Sequence, residues 1–254
     1  MLNMTQAIDR RISCRAFERR ALEPQTQRLL LRYVQEQNAV SGMHIQFLSA
    51  PDEKSTVKLA RTMFTSSPLQ TLVLPGRQTP EQEEKAGYYG QRIVLHAQRL
   101  GLATCWVAGT YDHHSVHAQL EEGEQVLSVI PVGYAMEKMP LKQQMIRVGL
   151  RRGDRSEDAF VDSEVLYSQL PEWFRFCVQA VRKGPSAVNG QPINLSWRNG
   201  EICACIWKSN HKMEYLDLGI AKAQFEAAAA ECGVIGRWDW GDGGAFHYQL
   251  PKQL

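Results

Sequence analysis

The two halves of this 254-residue chain repeat one another at a constant spacing. In each half, an apolar run typical of a strand precedes a long amphipathic run that ends at a glycine, and a tryptophan follows. Because different residue types keep one offset in the same setting, the pattern indicates an internal duplication, although chance similarity between two glycine-capped helices is the alternative. Three pairs lie 132 residues apart: Gly87 and Gly219, Gly101 and Gly233, and Trp106 and Trp238.

The periodicity of apolar residues predicts the same kinds of element in both halves. A mixture of this kind predicts an α+β fold, with a mixed, mainly antiparallel sheet in each half and helices packed over it. We expect a first half over 1–136, a charge-dense connector over 137–158 and a second half over 159–254. We expect helices over 4–11, 24–37, 80–100, 173–182 and 215–232, and strands over 44–48, 70–74 (ended by Pro75 and Gly76), 126–132, 193–197 and 202–207.

Composition excludes several function classes. Lys and Arg number 29 against 27 Asp and Glu, a net charge of +2, so we expect no nucleic-acid partner. No apolar run approaches the ~20 residues that span a bilayer, so we expect no membrane partner. The first twenty residues contain no apolar signal-peptide core, and the six cysteines show no framework spacing. A cytoplasmic protein with buried free thiols is the expectation.

The N-terminal segment is the first candidate for ligand binding. Arg11, Ser13 and Arg15 alternate, so in an extended backbone they point to one side while Ile12 and Cys14 point to the other. Two guanidiniums and a hydroxyl that converge in this way would suit a phosphate group. A solvated basic turn is the alternative interpretation.

The second candidate is the loop over 184–192, which follows a predicted helix and precedes a predicted strand. Two glycines and two prolines restrict its backbone path. Ser186, Asn189 and Gln191 would then present hydroxyl and amide groups from a stiff support to a polar ligand. A capped turn, in which these groups satisfy only the backbone, is the alternative.

The third candidate leaves the long predicted helix of the first half, over 101–109. The small residues Ala108 and Gly109 would allow backbone N–H groups to approach a flat ligand closely. A buried strand with Trp106 in the core is the alternative, and Trp238 fits it equally well.

The first half has a degraded counterpart of the 184–192 loop. Residues 39–45 align with residues 187–193, and there Ser41 and Met43 occupy the positions of Asn189 and Gln191. A hydroxyl and a thioether replace two amides. If this loop binds a ligand, only the second copy retains the groups for it.

Together these motifs resemble those of the nitroreductase family of FMN flavoproteins. The family's Arg-x-Ser-x-(Arg/Lys)-x-Phe segment is matched at 11–17, and its Pro-Ser-x-x-Asn-x-Gln-Pro loop at 185–192. Its Gly-Leu-Gly-x-x-Trp segment is matched at 101–106 with Ala103 in place of the middle glycine. The set spans about three quarters of the chain. Its order departs from the ordinary family, in which the Pro-Ser loop follows the Arg-Ser segment within about thirty residues.

The resemblance implies a role for each candidate residue. Arg11 and Ser13 would hold the FMN phosphate and ribityl end, and Arg15 would lie at the pyrimidine edge. The amides of Ala108 and Gly109 would face N5 and O4 of the ring. The remaining cofactor-binding residues implied in this way are Pro185, Ser186, Asn189 and Gln191 of the loop, with Arg152 and Arg155 as a late basic pair near the phosphate, where the match is loose.

The resemblance also accounts for the unusual order. Ordinary family members are homodimers with FMN at the interface, so a fusion of two halves needs only one complete site. We therefore expect a pseudo-dimer for which a monomer is sufficient. We expect it to pass electrons from NADH or NADPH through FMN to a small organic acceptor, without a catalytic side chain.

Three other interpretations remain open. A flavin- or nucleotide-binding module without turnover would share the same fold, and a pseudo-dimer that has lost its cofactor is a further alternative. The spacing of His113 and His117 would place two potential metal ligands on one face of a helix. No third ligand is evident, so we expect no metal.

Overall fold

The computed structural model of the protein describes residues 1–49, 57–151 and 155–251. The α+β class is confirmed. The first part of the chain forms α1 (Met4–Arg10), α2 (Pro24–Ser41), β1 (Gln46–Ser49), β2 (Gln70–Gly76), α3 (Pro80–Arg99), β3 (Ala103–Thr104), β4 (Gln125–Gly133) and α4 (Leu141–Arg151). The rest forms β5 (Val161–Ser163), α5 (Glu172–Lys183), β6 (Ile193–Arg198), β7 (Glu201–Ile206), α6 (Glu214–Glu231), β8 (Ile235–Trp238) and β9 (Gly244–Gln249).

The chain forms two compact units. The first unit comprises Met1–Asn3, Arg10–Gln78 and Ile93–Arg152. The second comprises Met4–Asp9, Thr79–Arg92 and Gly153–Leu254. Helix α1, except Arg10, and the N-terminal part of α3 therefore belong to the second unit, although segments of the first unit follow each of them in sequence. The units do not divide the chain at a single point.

The sheet of the first unit has four strands in the order β1-β2-β4-β3, and every pairing is antiparallel. Strand β2 is buried along its whole length. It continues through Pro75 and Gly76, where we expected it to end, because a register shift between Leu74 and Pro75 accommodates the proline. An apolar cluster that includes Phe17, Val73 and Val129 packs on this sheet.

The sheet of the second unit has the order β5-β6-β7-β9-β8. Strand β5 runs parallel to β6, and the other pairings are antiparallel, as expected for a mixed, mainly antiparallel sheet. Periodicity did not reveal β5, β8 or β9, because β5 and β8 span only three and four residues and glycines surround β9. Helix α6 is buried over most of its length, which explains its weak amphipathic pattern.

Helices α3 and α6 approach one another closely within the second unit. A Cβ atom on Gly87 would lie 2.0 Å from the carbonyl oxygen of Leu216, and one on Gly219 would lie 1.9 Å from the carbonyl oxygen of Glu84. Only a residue without a side chain fits at either position. The glycines recognised as a repeated pair in the sequence are thus the pair that lets the two helices touch.

Helix α4 lies inside the segment that we expected to be a connector. Among its described side chains, the polar Gln143 is buried, and its amide donates to the carbonyl oxygen of Met63 and to the hydroxyl of Thr65, both at 3.0 Å. The apolar side chains of Leu141 and Met145 are exposed. A hydrogen-bonded polar side chain thus helps to dock this helix, and apolar periodicity in the sequence does not mark such a contact.

Within the described residues, no helix combines the length and apolar character required to cross a bilayer.

Candidate functional site

The N-terminal segment forms an additional extended strand at the edge of the first unit's sheet. Ser13 forms a parallel bridge with Thr104, and the Cys14 amide donates to the Thr104 carbonyl oxygen at 2.9 Å. Cys14 and Ala16 are buried, whereas Ser13 and Arg15 are half-buried. This is the alternation that an extended Arg11-to-Arg15 segment requires.

Arg11, Ser13 and Arg15 all interact with the thiol of Cys105. The Ser13 side chain is hydrogen-bonded to Cys105, and both guanidiniums lie close enough to lower the pKa of the thiol, although its burial raises that pKa overall. Burial also lowers the pKa of Arg11 to about 10, and the neighbouring charge of Arg15 adds to the effect. The first unit therefore concentrates positive charge where the sequence predicts a phosphate grip.

The segment after β3 lies beside this cluster. Val107 forms a bridge with Val129, and its amide donates to the Val129 carbonyl oxygen at 3.0 Å. Beyond it the chain leaves the sheet, with Ala108 half-buried and Gly109 exposed. Within the described ranges, neither amide of these two residues donates to a protein acceptor. A Cβ atom on Gly109 would meet nothing within 4 Å, so there is open space beside this residue.

The second unit carries the other candidate loop. Helix α5 ends at Lys183, and Gly184 and Pro185 turn the chain away from the helix axis. Three residues without glycine's freedom then adopt left-handed backbone conformations, with φ values of 46° at Val188, 56° at Asn189 and 48° at Gln191. Such residues cost free energy and persist only where surrounding contacts impose them, often at functional sites.

Contacts to Gln191 hold one end of this loop. Its side-chain Oε1 accepts from the Arg155 amide at 2.9 Å, and its Nε2 donates to the Arg182 carbonyl oxygen at 3.4 Å. The Ser186 hydroxyl accepts from the Gln191 amide at 3.0 Å. The buried amide of Gln191 is thus occupied by protein partners, which favours a supporting role over direct contact with a ligand.

Arg155 is committed to the same support. Its guanidinium donates to the Gln191 carbonyl oxygen at 3.0 Å and to the Asn194 side chain at 2.6 Å. It also donates to the Ala159 carbonyl oxygen. Its Cζ atom also lies 4.4 Å from the ring centroids of both Phe160 and Trp207. These contacts favour a supporting role for Arg155, whereas its predicted contact with the phosphate stays a prediction. Arg152, its predicted companion, lies outside the described residues.

Two residues that sequence reasoning missed hold the opposite end of the loop. The carboxylate of Asp217, on α6, accepts from the backbone amide of Ala187. The side-chain amide of Asn210 donates to the Ala187 carbonyl oxygen and to the Asp217 carboxylate. Burial raises the pKa of Asp217 to about 7. An aspartate within an otherwise apolar helical run (Leu216, Leu218) was the available signal.

The corresponding segment of the first half has a different structure. Helix α2 continues to Ser41, where the second half has its loop, and Gly42 ends it with a φ of 71°. The Ser41 hydroxyl bonds the carbonyl oxygen of Gln37 at 2.7 Å, and Met43 is buried. The Ser41 hydroxyl is therefore bonded within the last turn of α2, and the Met43 side chain is buried, so neither is placed as the amides of the second loop are.

The histidine pair does not have the geometry we considered. The helical turn there covers only His113–Ser115, capped by Asp112, and Val116 is extended. His117 therefore does not lie on a helical face with His113.

The structure thus assembles the predicted residues in two groups, each within its own unit. Arg11, Ser13, Arg15, Ala108 and Gly109 belong to the first unit. Arg155, Pro185, Ser186, Asn189 and Gln191 belong to the second.

An α+β fold carrying an Arg-Ser-Arg segment and a Pro-Ser-x-x-Asn loop defines a nitroreductase-type protein. A family model described as "Putative TM nitroreductase" matches residues 3–229, most of the chain, so the protein belongs to this nitroreductase family.

One solved structure shows the same fold over almost the whole chain, and two others are similar to about half of the chain. A "putative nitroreductase" of Thermotoga maritima is similar with a TM-score of 0.61 and 20% identity, over 96% of this chain and 93% of that one. An FMN-dependent nitroreductase of Clostridium difficile has a TM-score of 0.41 and 14% identity, over 52% and 88% of the two chains. A nitroreductase with bound FMN from Bacteroides fragilis has a TM-score of 0.42 and 15% identity, over 56% of this chain and 92% of that one. A search of curated proteins found no significant match.

Proposed function

We propose that the protein is an FMN-dependent oxidoreductase of the nitroreductase type, which passes electrons from NADH or NADPH to a small organic acceptor. The observation that carries the proposal is the grouping of Arg11, Ser13 and Arg15 around the Cys105 thiol. The amides of Ala108 and Gly109, a few residues further along the chain, donate to no acceptor among the described residues. The cluster supplies donors for an anion, and the amides supply donors for a flat polar ring.

The donor set fits the phosphate of FMN. Guanidinium groups form charge-assisted, planar hydrogen bonds to phosphate oxygens, and a hydroxyl adds a further donor. None of the ion pairs between described residues involves Arg15. No described carboxylate therefore neutralises its charge, which suits the negative charge that the resemblance places at the pyrimidine edge of the ring.

The chemistry divides simply between cofactor and protein. FMN, when bound, supplies hydride acceptance and donation. As the family resemblance implies, the amides of Ala108 and Gly109 would act as fixed donors toward the polar edge of the ring, and Arg15 would stabilise negative charge near its pyrimidine end. Ser186 and Asn189 would orient the cofactor from their loop. No protein nucleophile is required, and the acceptor follows the nicotinamide in turn.

Duplication within the chain is supported by the contact between α3 and α6. The atoms nearest a Cβ on Gly87 belong to Leu216 and Ile220, and those nearest a Cβ on Gly219 belong to Glu84 and Tyr88. Every correspondence keeps the offset of 132 residues. Two copies related by a pseudo-twofold axis produce such reciprocal contacts, as in an isologous dimer interface. We therefore propose a pseudo-dimer in which a monomer is sufficient.

A single cofactor site per chain is supported by the counterparts of Ala108 and Gly109. At the offset of 132 these are Trp240 and Gly241. The Gly241 amide donates to the carboxylate of Glu84 at 2.7 Å, and the Trp240 indole packs edge-on against Tyr88, with 5.4 Å between ring centroids. In the second copy a carboxylate thus accepts from the glycine amide and a large ring replaces the alanine, whereas in the first copy the space beside Gly109 is open.

A cytoplasmic location remains part of the proposal. All six cysteines are free thiols, and a reducing compartment maintains them in that state.

The test is the visible absorption spectrum of the purified protein after it is supplied with FMN and the excess is removed. We expect about one flavin per chain, lost in Arg11→Ala and Asn189→Ala but retained in Arg32→Ala, which removes an exposed arginine of α2. Bleaching by NADH or NADPH under argon, followed by reoxidation with a quinone or nitroaromatic, identifies an enzyme. Retained flavin without bleaching indicates the non-catalytic module, and no retained flavin in a folded protein refutes the proposal.

A further inference from the structure

We propose that Asp217 is a positioning residue which, through Ala187 and together with Asn210, fixes the 185–191 loop in the conformation that receives the cofactor. This inference rests on the proposed function, which assigns Ser186 and Asn189 of that loop to FMN. No motif in the sequence points to either Asp217 or Asn210.

The first observation is that two side chains bracket one residue of the loop. The carboxylate oxygens of Asp217 lie 3.1 and 3.2 Å from the amide nitrogen of Ala187. The side-chain amide of Asn210 donates to the carbonyl oxygen of Ala187 at 3.0 Å and to Asp217 Oδ2 at 2.6 Å. Ala187 is therefore held at both its N–H and its C=O by two side chains that also bond each other.

The second observation is that the strained part of the loop starts at the next residue. Val188 and Asn189 adopt left-handed conformations immediately after Ala187. Gly190 then packs against Asn210 so closely that a Cβ atom would lie 2.2 Å from Asn210 Oδ1. Because left-handed valine is disfavoured, external contacts must hold it, and the bracket at Ala187 and Gly190 is placed to do so.

The third observation is that the bracket is itself held in place. Asn210 is only 4% exposed, and its backbone amide donates to the Glu214 carboxylate at 3.1 Å. Glu214 and Asp217 both lie in the first turn of α6. The loop is thus connected to a rigid helix by hydrogen bonds rather than by apolar packing, which fixes its orientation more precisely.

The fourth observation is the cost of the carboxylate. Asp217 is 3% exposed, and a buried carboxylate is expensive compared with a neutral group. Desolvation accounts for most of its raised pKa, the nearby Glu214 adds to it, and the hydrogen bonds from Asn210 and Ala187 oppose it. Glu83, on α3, interacts in turn with Glu214. The two side-chain bonds of this buried group go to Ala187 of the loop and to Asn210, which itself bonds Ala187, and this favours a role in holding the loop.

The ionised carboxylate accepts from both donors, whereas protonation converts one oxygen to a hydroxyl and weakens the bracket. Hydrogen bonds to charged groups typically change an equilibrium constant by about tenfold or more. Asp217→Asn should therefore raise the FMN dissociation constant about tenfold at pH 8. Asn210→Ala, which keeps the carboxylate, should raise it less.

The experiment measures FMN affinity by fluorescence titration and amide hydrogen exchange of residues 187–190 in the FMN-free protein, at pH 6 and pH 8. The proteins are wild type, Asp217→Asn, Asn210→Ala and the control Asp162→Asn, an exposed acid on β5. We expect faster amide exchange in Asp217→Asn and Asn210→Ala, and unchanged exchange in Asp162→Asn. We also expect wild-type affinity to fall from pH 8 to pH 6, and that of Asp217→Asn to stay constant.

Equal affinity and equal exchange in Asp217→Asn and wild type at both pH values would overturn the inference. If Asp217→Asn does not fold, Asn210→Ala and the wild-type pH dependence decide in the same way. If wild type binds no FMN, the proposed function fails, and exchange in the FMN-free protein still shows whether Asp217 orders the loop.

Discussion

Glu84 and Lys222 form an ion pair from which solvent is entirely excluded, with 2.5 Å between Oε1 and Nζ and neither side chain exposed. Lys222 Nζ also donates to the carbonyl oxygens of Asp239 and Gly241, at 2.8 and 2.9 Å. The second carboxylate oxygen of Glu84 accepts from the Gly241 amide. The pair thus joins α3 and α6 to the turn between β8 and β9, and each charge is nearly saturated with partners.

Removing one member of this pair should strongly destabilise the second unit. Lys222→Met leaves a buried carboxylate without its cation, at a cost of about 3–5 kcal/mol in the free energy of unfolding. Urea denaturation measures the loss. The double variant Glu84→Gln/Lys222→Met should recover part of it, and Arg198→Ala, which breaks an exposed pair, should cost at most about 1 kcal/mol. Equal losses of unfolding free energy in Lys222→Met and Arg198→Ala would contradict this prediction.

The same substitution should have opposite effects at two helical glycines, one at the crossing of α3 and α6 and one on the exposed surface of α4. Gly219→Ala places a methyl group against a backbone carbonyl and should destabilise the protein by about 1–3 kcal/mol. Gly149→Ala, in α4, meets nothing within 4 Å and should stabilise it by about 0.5–1 kcal/mol. Thermal unfolding of both variants tests the crossing, which would be wrong if Gly219→Ala were neutral.

The pKa of Asp217 predicts how stability changes with pH. The pKa is about 7 in the folded protein and about 3.9 in an unfolded chain, so the folded state favours the protonated form. The contribution of the protonated group to stability is complete below about pH 4 and is lost as pH rises toward 7. The free energy of unfolding of wild type, relative to Asp217→Asn, should therefore fall across this range. A constant difference between the two proteins would show that Asp217 titrates normally.

The cysteines should fall into two classes of reactivity. Cys14, Cys105 and Cys177 are buried, and burial raises the pKa of the Cys14 thiol to about 11 and that of Cys177 further. Titration with a thiol reagent at pH 8 should therefore label at most the half-buried Cys203, Cys205 and Cys232 in the native protein. All six should react in denaturant, which serves as the control. Rapid native labelling of more than three thiols would contradict the assignment.

Much of the fold follows from local features of the sequence. Apolar periodicity located five helices and most of the longer strands, and Gly101 and Gly233, with φ values of 81° and 73°, follow α3 and α6 closely, as predicted. These features are visible because they depend on residues close in sequence. Helix α4 was missed, and the hydrogen-bond partners of its buried Gln143 lie about 80 residues earlier, where no local pattern reveals them.

The candidate site divides in the same way. The sequence alone identified the alternation of Arg11, Ser13 and Arg15 and the stiff loop that contains Asn189, because both are contiguous motifs. Only the tertiary structure showed that Arg155 and Gln191 are occupied by protein partners, and that Asp217 bonds Ala187 from thirty residues away. A sequence determines which groups are present and their local backbone, whereas the hydrogen-bond partner of a buried group is determined by which distant segment packs against it.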